Sequence, residues 1–526
     1  MEVQDILKPA SRDQLKTLTR QELVDLLLGE QEIRKQAEAF IKLLEEEVYL
    51  IGEKYVRIKN KIFCPSSEKF IDPQPEPKAS NPDVDKNEET GSGSNEKNKT
   101  KTSKKPSERY PNTPIIEQNI EIYPLPPCTC CGSQMVDSGM TESSESLSVT
   151  PKQYFIKRKI YHKYCCKTCH GSIETAPTLP KIKPGSSYDD ELVVDVSMSK
   201  FCDLIPIERY TEMAKRQGFV NLPPHSLIEL THYLAAFLKP VYELIRQELL
   251  SAYVLHADET PHRMLEGDKK KNWFLWGFST ETASYFECHN TRSGDVASSI
   301  LSVAECRYLV SDVYSGYNKA VTESNKIRLE DGRPQVKSSY CNAHARRKFN
   351  EISGSEGVIF LKKYGDIYEM ERDIKEMPLE DRVEKRKEMQ PIFEFMRNEA
   401  QKIKETVSNK SSAAQAADYF LKNYVNLTHF IHDPQLPIDN NHQERLLRSP
   451  VVGRKTWYGT HSKKGATTTA ILFSIVESCK LNHLNPRDFV NQIVKAMHRG
   501  EKPYTPRQAV LAAYHSPPPL LPPPVQ

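Results

Sequence analysis

The chain has 526 residues, of which 38% are hydrophobic and 27% charged, a balance that supports about three packed domains joined by polar segments. The opening MEVQDILKPASRDQ lacks the apolar core of a secretory signal, and no run of about eighteen apolar residues could span a bilayer. We therefore expect a cytoplasmic protein with no membrane partner. Its 12 cysteines are then expected to be metal ligands or buried thiols rather than disulfides.

Residues 1–72 are predicted to be a helical, coiled-coil region. Between about Gln14 and Ile62, apolar side chains recur at steps of three and four, at Ile33, Ala37, Phe40, Leu44, Val48, Ile51, Tyr55, Ile58 and Ile62. This spacing is a heptad seam with one four-residue stutter. The pattern favours a dimer, parallel or antiparallel, through this helix. The alternative is an amphipathic helix that folds back on its own chain.

Two segments have the composition of disordered chain. Residues 73–114 are rich in Pro, Asn, Lys, Glu and Ser, and such a segment cannot bury enough apolar surface to offset the entropy of ordering. Residues 511–526 end in HSPPPLLPPPVQ, which is typical of an extended, polyproline-like tail. We predict a linker for the first and a tail for the second.

Residues 115–185 contain two cysteine clusters, CTCC and CCKTC. The best four-ligand choice is two C-x-x-C pairs, which could hold one structural Zn²⁺ tetrahedrally, and it consists of Cys128, Cys131, Cys166 and Cys169. Cys130 and Cys165 could replace their neighbours as ligands, and a set of ordinary free thiols is the alternative. The alternating VTPKQYFIKRKIYHKY between the clusters predicts strands with a cationic face that could touch DNA.

Residues 186–250 have helix-spaced apolar residues, interrupted at Gly218 and at Pro223 and Pro224. A helix, a short turn and a second helix would suit a DNA-binding helix-turn-helix. A plain helical subdomain that covers a catalytic core fits the same pattern equally well.

Residues 251–475 change to short β-rich runs: AYVLHAD, NWFLWGFS, ASYFECHN, RYLVSD and VKSSYCNAH. Helical patterns follow the third and fourth runs. Three strands without room for helices, followed by strands that alternate with helices, is the element order of an RNase H-like fold. The fold class expected is therefore multidomain α+β with an RNase H-like α/β core, in which the first and fourth strands are neighbours.

Asp258 and Asp312 end the first and the fourth of these strands, 54 positions apart in the sequence. Neighbouring strands would bring both carboxylates within reach of shared metal ions. Glu444 is a candidate third acid, and three carboxylates could hold two Mg²⁺ or Mn²⁺ ions, which is the usual arrangement for phosphodiester chemistry. A lone Asp is more often a simple strand-end residue.

Glu444 also has a structural explanation, because Asn441-x-x-Glu444 and Asn440-x-x-Gln443 both read as helix-capping pairs. Behind it, residues 445–499 contain ten Lys or Arg against two acidic residues. This excess would attract phosphate backbones, although a solvated helical face is the ordinary alternative. The candidates for phosphate contact are Arg445, Arg448, Arg454 and Lys455.

The sequence resembles the insertion-sequence-66 family of DDE transposases. The matching motifs are HADET at Asp258, SDVYSGY at Asp312, CNAHARRKF at His344, and DNNHQER followed by GRKTWYGT at Glu444. SSEKF, the cysteine clusters, KFCDLIPIERY and SIVESCKLNHLNPRDFV are also similar to that family. The resemblance covers nearly the whole chain.

The resemblance implies Asp258, Asp312 and Glu444 as a metal-binding catalytic triad, with His344, Arg346 and Arg347 as DNA or active-site contacts. It also implies a helical insertion at about 353–432 and makes accessory proteins of the same element plausible. A C-terminal helical element is expected over 476–510.

The predicted activity is cleavage of insertion-sequence ends and joining of the freed 3′ hydroxyl to target DNA by two-metal phosphoryl transfer. The protein would act on DNA in the nucleoid. One alternative is a catalytically inert, zinc-containing DNA-binding regulator derived from a transposase. Another is a structure-dependent nuclease that cuts without joining.

Overall fold

The computed structural model describes residues 16–63, 105–111, 113–120, 123, 125–137, 140–149, 152–167, 173–265, 272–352 and 355–515. Most of the predicted linker and of the proline-rich tail lies outside these ranges. The chain divides into two units, one of residues 1–66 and 158–526 and the other of residues 67–157. Among the described residues, no helix is both long enough and apolar enough to cross a membrane.

The N-terminal helix α1 (Arg20–Phe63) is 44 residues long and confirms the predicted helix. Its predicted seam is open to solvent in the single chain, with Ile33 65%, Phe40 61% and Val48 69% exposed. A hydrogen bond joins Ser408 to Glu46 of this helix. The described seam positions are therefore not buried by the chain itself, and dimerisation through them stays a prediction.

The unit of residues 67–157 is mostly irregular where it is described. It contains the short helix α2 (Pro106–Arg109), which lies inside the segment predicted as linker. Ser107 donates to Glu145 through both its backbone N–H, at 2.8 Å, and its hydroxyl, at 2.9 Å. The larger unit then contains a two-stranded antiparallel hairpin, β1 (Lys163–Cys165) and β2 (Ile173–Thr175).

Four helices precede the main sheet, as the sequence predicts for this region. They are α3 (Asp190–Phe201), α4 (Ile207–Arg216), α5 (Pro224–Phe237) and α6 (Lys239–Leu250). Gly218 follows α4 with φ of +83°, a conformation that glycine adopts without steric cost. Pro224 occupies the first turn of α5, where its missing N–H is not needed. The helix-turn-helix interpretation stays a prediction.

The main sheet has five strands in the order β5-β4-β3-β6-β7. The strands are β3 (Val254–Arg263), β4 (Asn272–Ser279), β5 (Ser284–His289), β6 (Tyr308–Ser311) and β7 (Lys337–Tyr340). The pairs β3–β4 and β4–β5 are antiparallel, whereas β3–β6 and β6–β7 are parallel. The prediction that the first and fourth strands are neighbours is confirmed.

Helices follow the last three strands. They are α7 (Asp295–Leu301), α8 (Ser315–Glu330) and α9 (Asn342–Asn350). The start of α9 at Asn342 corrects the sequence prediction, in which CNAH continued the last strand.

The segment after α9 is helical, as expected for 353–432. It contains α10 (Ser355–Asp373), α11 (Leu379–Lys387), α12 (Gln390–Thr406), α13 (Ser412–Thr428) and a 3₁₀ helix (His429–His432). Stacked and edge-on aromatic rings fill its core, among them Phe349, Phe360, Phe393 and Phe420. The buried Arg386 bonds to Glu371 and to three backbone carbonyls, so its charge is compensated.

Four helices complete the chain: α14 (Asn441–Trp457), α15 (Lys463–Leu481), α16 (Pro486–His498) and α17 (Pro506–His515). α15 packs along β5, and the Ser474 and Ser478 hydroxyls accept bonds from the N–H groups of Phe286 and Ser284. These serines bond to backbone N–H groups on the outer edge of β5, which would otherwise have no partner there. α5 and α6 pack against α15, and α17 extends five residues into the predicted tail.

Candidate active site

Asp258 and Asp312 lie at the same level of two adjacent strands. In the β3–β6 pairing, residues 254–256 face residues 308–310, a constant offset of 54 that also relates Asp258 to Asp312. Asp312 follows the last residue of β6, as predicted. Asp258, in contrast, lies inside β3, opposite Gly277 of β4, because pairing with β4 extends that strand to Arg263. The prediction that Asp258 ends its strand is therefore wrong, although the two aspartates are neighbours.

The electrostatic environment of Asp258 favours its protonated form. Burial, together with the negative charges of Glu259, Asp312 and Glu444, raises the pKa of Asp258 to about 8. The backbone N–H of Glu259 donates to Asp258 Oδ1 at 2.9 Å and opposes this effect only in part. The site therefore concentrates negative charge that a proton or a cation would neutralise.

Glu444 reaches this site from the first turn of α14, which packs on β3 and β4. The side chain of Asn440 connects the helix to the sheet. Its carbonyl oxygen lies 2.9 Å from His256 Nδ1, and its amide nitrogen donates to the Ala257 carbonyl oxygen at 2.9 Å. Burial lowers the pKa of His256 to about 3, so this histidine is a neutral hydrogen-bond partner.

The capping interpretation of Asn440 and Asn441 is wrong in its detail. Asn440 occupies the N-cap position of α14, but its side chain makes no capping bond. Its carbonyl and amide groups instead bond to His256 and Ala257 of β3. Asp439 takes this role instead: its carboxylate accepts from the Asn441 backbone N–H at 3.0 Å. Glu444 is thus free of a capping function, and its backbone N–H bonds to the Asn440 carbonyl oxygen as an ordinary helical residue.

An open pocket of about 450 Å³ lies beside these acids. Its lining residues are Asp258, Glu259, Thr260, His344, Glu444, Leu447, Arg448, Val451 and Val452. His344 Nδ1 is 3.6 Å from Glu444 Oε1, and an Arg347 guanidinium nitrogen is 3.9 Å from Glu444 Oε2. The pocket therefore brings together two of the three predicted acids with a predicted histidine and arginine, and Asp312 acts on Asp258 through its charge.

Residues 185–468 match the family described as Transposase IS66 family. This match covers more than half of the chain. The chain belongs to the IS66 family of transposases. Two similar proteins, both from Sinorhizobium fredii (strain NBRC 101917 / NGR234), are uncharacterized. Protein y4hP is 25% identical over 406 residues, covering 72% of each chain, and protein y4jD is 26% identical over 388 residues, covering 71% of this chain and 75% of its own.

The part of this IS66 family member that matches the family includes every predicted acid and every predicted basic contact, but none of the four zinc cysteines. Among the basic residues, Arg445, Arg448 and Lys455 are exposed along α14. Arg346 and Arg454 are half-buried, and an Arg454 guanidinium nitrogen lies 3.4 Å from Thr260 Oγ1. The exposed subset is available to a ligand that crosses the pocket.

Glu259 is not among the predicted site residues, although it lies beside Asp258 in HADET. Its side chain is only 3% exposed and accepts bonds from Tyr317 at 2.5 Å and from Arg292 at 2.6 Å. Arg292 also stacks 4.1 Å above the Tyr314 ring, and the Tyr314 backbone N–H donates to Asp312 Oδ1 at 3.1 Å. This network ties the loop that carries Asp312 to the strand that carries Asp258.

The predicted zinc cysteines are described only in part. In the first cluster, the Cys128 N–H donates to Ser133 O and the Gly132 N–H to Cys128 O, with Gly132 at φ of +75°. Hydrogen bonds with Ser133 lower the pKa of the Cys131 thiol. Cys166 follows β1 and is exposed, whereas Cys169 lies outside the described residues. The tight turn at Gly132 is the shape that a C-x-x-C pair needs.

Proposed function

We propose that this IS66 family protein is a DNA transposase that cuts the ends of its element and joins the 3′ hydroxyl to target DNA. The observation that supports the proposal is the position of Asp258, which has Asp312 at the same level of the adjacent strand and lines one pocket with Glu444. The strand order β5-β4-β3-β6-β7, with three antiparallel strands beside two parallel ones, supports assignment of the core to the RNase H-like class.

The donor set fits divalent cations. Three carboxylates offer hard oxygen ligands of the kind that Mg²⁺ and Mn²⁺ prefer, and their mutual repulsion favours a bound positive charge. Two such ions, held by Asp258, Asp312 and Glu444, would activate the attacking hydroxyl and stabilise the leaving oxygen. No covalent protein intermediate is then required.

The protein's own contribution is positioning. Asn440 fixes the start of α14, and with it Glu444, against the strand that carries Asp258. An Arg347 guanidinium nitrogen lies 3.9 Å from Glu444 Oε2 and limits where that carboxylate can move. Held in this way, the acids need little reorganisation when DNA arrives, which is the main source of rate in phosphoryl transfer.

We assign DNA contact to the cationic residues that surround the pocket. Arg448 lines the pocket and is exposed, and Arg445 and Lys455 lie exposed on the same helix. Arg346 of α9 is half-buried, and we assign it to the same DNA-binding role from its place in the CNAHARRKF motif. Such contacts bind phosphates without reading sequence, and their contribution decreases as salt increases.

Three further assignments belong to the same proposal. The four cysteines would hold one structural Zn²⁺ per chain, and metal analysis of protein purified under reducing conditions should find it. The exposed seam of α1 would pair with a second copy of the chain. The nucleoid would be the place of action, with accessory proteins of the element as further partners.

The test uses duplex DNA from the flanks of the gene, a plasmid target and Mg²⁺ or Mn²⁺. Asp258→Asn, Asp312→Asn and Glu444→Gln should each abolish strand joining while DNA binding persists. The matched controls are Glu330→Gln and Asp331→Asn, which lie at the far end of the 16-residue helix α8, about 24 Å along the helix from the Asp312 loop. Joining that survives in any of the three variants removes that acid from the triad.

The same assay separates the two alternative functions. A regulator would bind the DNA ends but would neither cut nor join them as the wild-type protein. A structure-dependent nuclease would cut without joining and without preference for the element ends. The nearness of Asp258 to both Asp312 and Glu444 supports the transposase over these alternatives.

A further inference from the structure

Two helix N-termini meet beside the pocket, and a buried cysteine lies between them. Cys341 immediately precedes α9, and Asn440 precedes α14. The Asn440 N–H donates to Cys341 Sγ at 3.2 Å. One turn into each helix, His344 and Glu444 face this sulfur, and the ligand atoms of all three side chains lie within 4.8 Å of one another.

His344 Nδ1 and Glu444 Oε1 are both shielded from solvent, and neither has a hydrogen-bond partner among the residues that the structure describes. Their separation of 3.6 Å is too long for a hydrogen bond. It is close to the spacing of roughly 3.3 Å that nitrogen and oxygen ligands adopt around a tetrahedral zinc with bonds of about 2.0–2.1 Å. Two buried polar atoms without partners are costly unless a ligand satisfies them.

The chemistry of the three groups selects the ligand. Thiolate and imidazole bind borderline and soft cations such as Zn²⁺ and discriminate against Mg²⁺, which requires oxygen ligands. Burial raises the pKa of the Cys341 thiol, so a bound cation would have to displace its proton, as metal binding to a cysteine always does. Three protein ligands leave the fourth position of a tetrahedral ion open to water.

We propose that Cys341, His344 and Glu444 form a second metal site, specific for a thiophilic divalent cation such as Zn²⁺. The competition that follows rests on the proposed function, because Glu444 also belongs to the proposed Mg²⁺ or Mn²⁺ site. A zinc ion bound to Cys341 and His344 would also coordinate the Glu444 carboxylate, which could then no longer bind Mg²⁺ or Mn²⁺. Zinc therefore inhibits metal-dependent DNA chemistry by removing a shared ligand from the acid cluster.

Binding is tested first, without any DNA reaction. Metal-free, reduced full-length protein is titrated with Zn²⁺ in excess Mg²⁺, which saturates sites made only of oxygen ligands. The variant is Cys341→Ser, and the matched control is Cys306→Ser, at an equally buried cysteine. Wild type and the control should bind one more equivalent than Cys341→Ser. Cobalt substituted at this equivalent should show a sulfur-to-metal charge-transfer band that Cys341→Ser lacks.

Equal zinc stoichiometry and affinity in wild type and Cys341→Ser would overturn the proposal. Should that variant not fold, as judged by circular dichroism, His344→Ala provides the same comparison. Loss of one direct ligand should weaken zinc binding by about tenfold or more, since even outer-shell substitutions have effects of that size.

Competition is tested in the strand-joining assay at fixed Mg²⁺, with each variant measured against its own rate without zinc. The zinc concentration for half-inhibition should be about tenfold or more higher in Cys341→Ser than in wild type and Cys306→Ser. Equal sensitivity would refute the competition. Absence of joining by the wild-type protein would count against the proposed function, while the binding titration would still decide whether the zinc site exists.

Discussion

Replacement of Asp258 by Asn should stabilise the metal-free protein, and more strongly as pH increases. Burial and three neighbouring negative charges raise the pKa of Asp258 from 3.8 to about 8 in the folded protein. Between these values the folded chain holds a proton that the unfolded chain has released. The stability that Asp258 contributes is therefore fully present below pH about 4 and is lost as pH rises through about 8.

The magnitude follows from proton linkage. One proton more in the folded than in the unfolded state lowers the free energy of unfolding by about 1.4 kcal/mol per pH unit. From pH 5 to pH 7, wild type should lose about 3 kcal/mol relative to Asp258→Asn, whose amide does not titrate. The other titrating groups change the free energy of unfolding with pH in the same way in both proteins, so their contributions cancel in the difference.

The assay is urea unfolding in EDTA, followed by tryptophan fluorescence. All three tryptophans, Trp273, Trp276 and Trp457, lie in β4 or at the end of α14, so the signal reports on the elements around the site. Asp331→Asn controls for the loss of a surface carboxylate. A difference between Asp258→Asn and wild type that stays constant from pH 5 to pH 7 would refute the electrostatic account.

Three further changes have defined outcomes. Gly277→Ala places a Cβ 2.2 Å from Gln443 Nε2 and should lower the free energy of unfolding by about 1–3 kcal/mol in thermal or urea unfolding. The control is Gly29→Ala, whose Cβ would have nothing within 4 Å and should stabilise α1 by roughly 1 kcal/mol. Equal effects of the two substitutions would refute the packing argument. Asn440→Ala leaves a buried histidine and a carbonyl unpaired and should cost about 3 kcal/mol in urea unfolding, so a loss near zero would contradict its anchoring role. Arg448→Ala should weaken DNA binding equally on all sequences and reduce the salt slope by about 1, and a sequence-dependent loss would instead indicate base contact.

The sequence was sufficient for features set by local patterns. Heptad spacing predicted the long helix α1, which is observed from Arg20 to Phe63. Short β-rich runs predicted the five strands and the pairing of β3 with β6. The distance of 54 residues between Asp258 and Asp312 equals the offset of that pairing. Such patterns are readable because side-chain periodicity depends on the backbone conformation of a few consecutive residues.

Tertiary structure decided what depends on residues distant in the sequence. Pairing with β4 extends β3 beyond Asp258. The Asn440 side chain bonds to the Ala257 carbonyl oxygen of the sheet and therefore does not cap its helix. The approach of Glu444 to Cys341 and His344 joins two helix starts separated by the whole helical insertion. The pKa of Asp258 likewise depends on burial and on charges brought from three segments. Contacts and electric fields of this kind arise only when the chain is packed, so no local pattern records them.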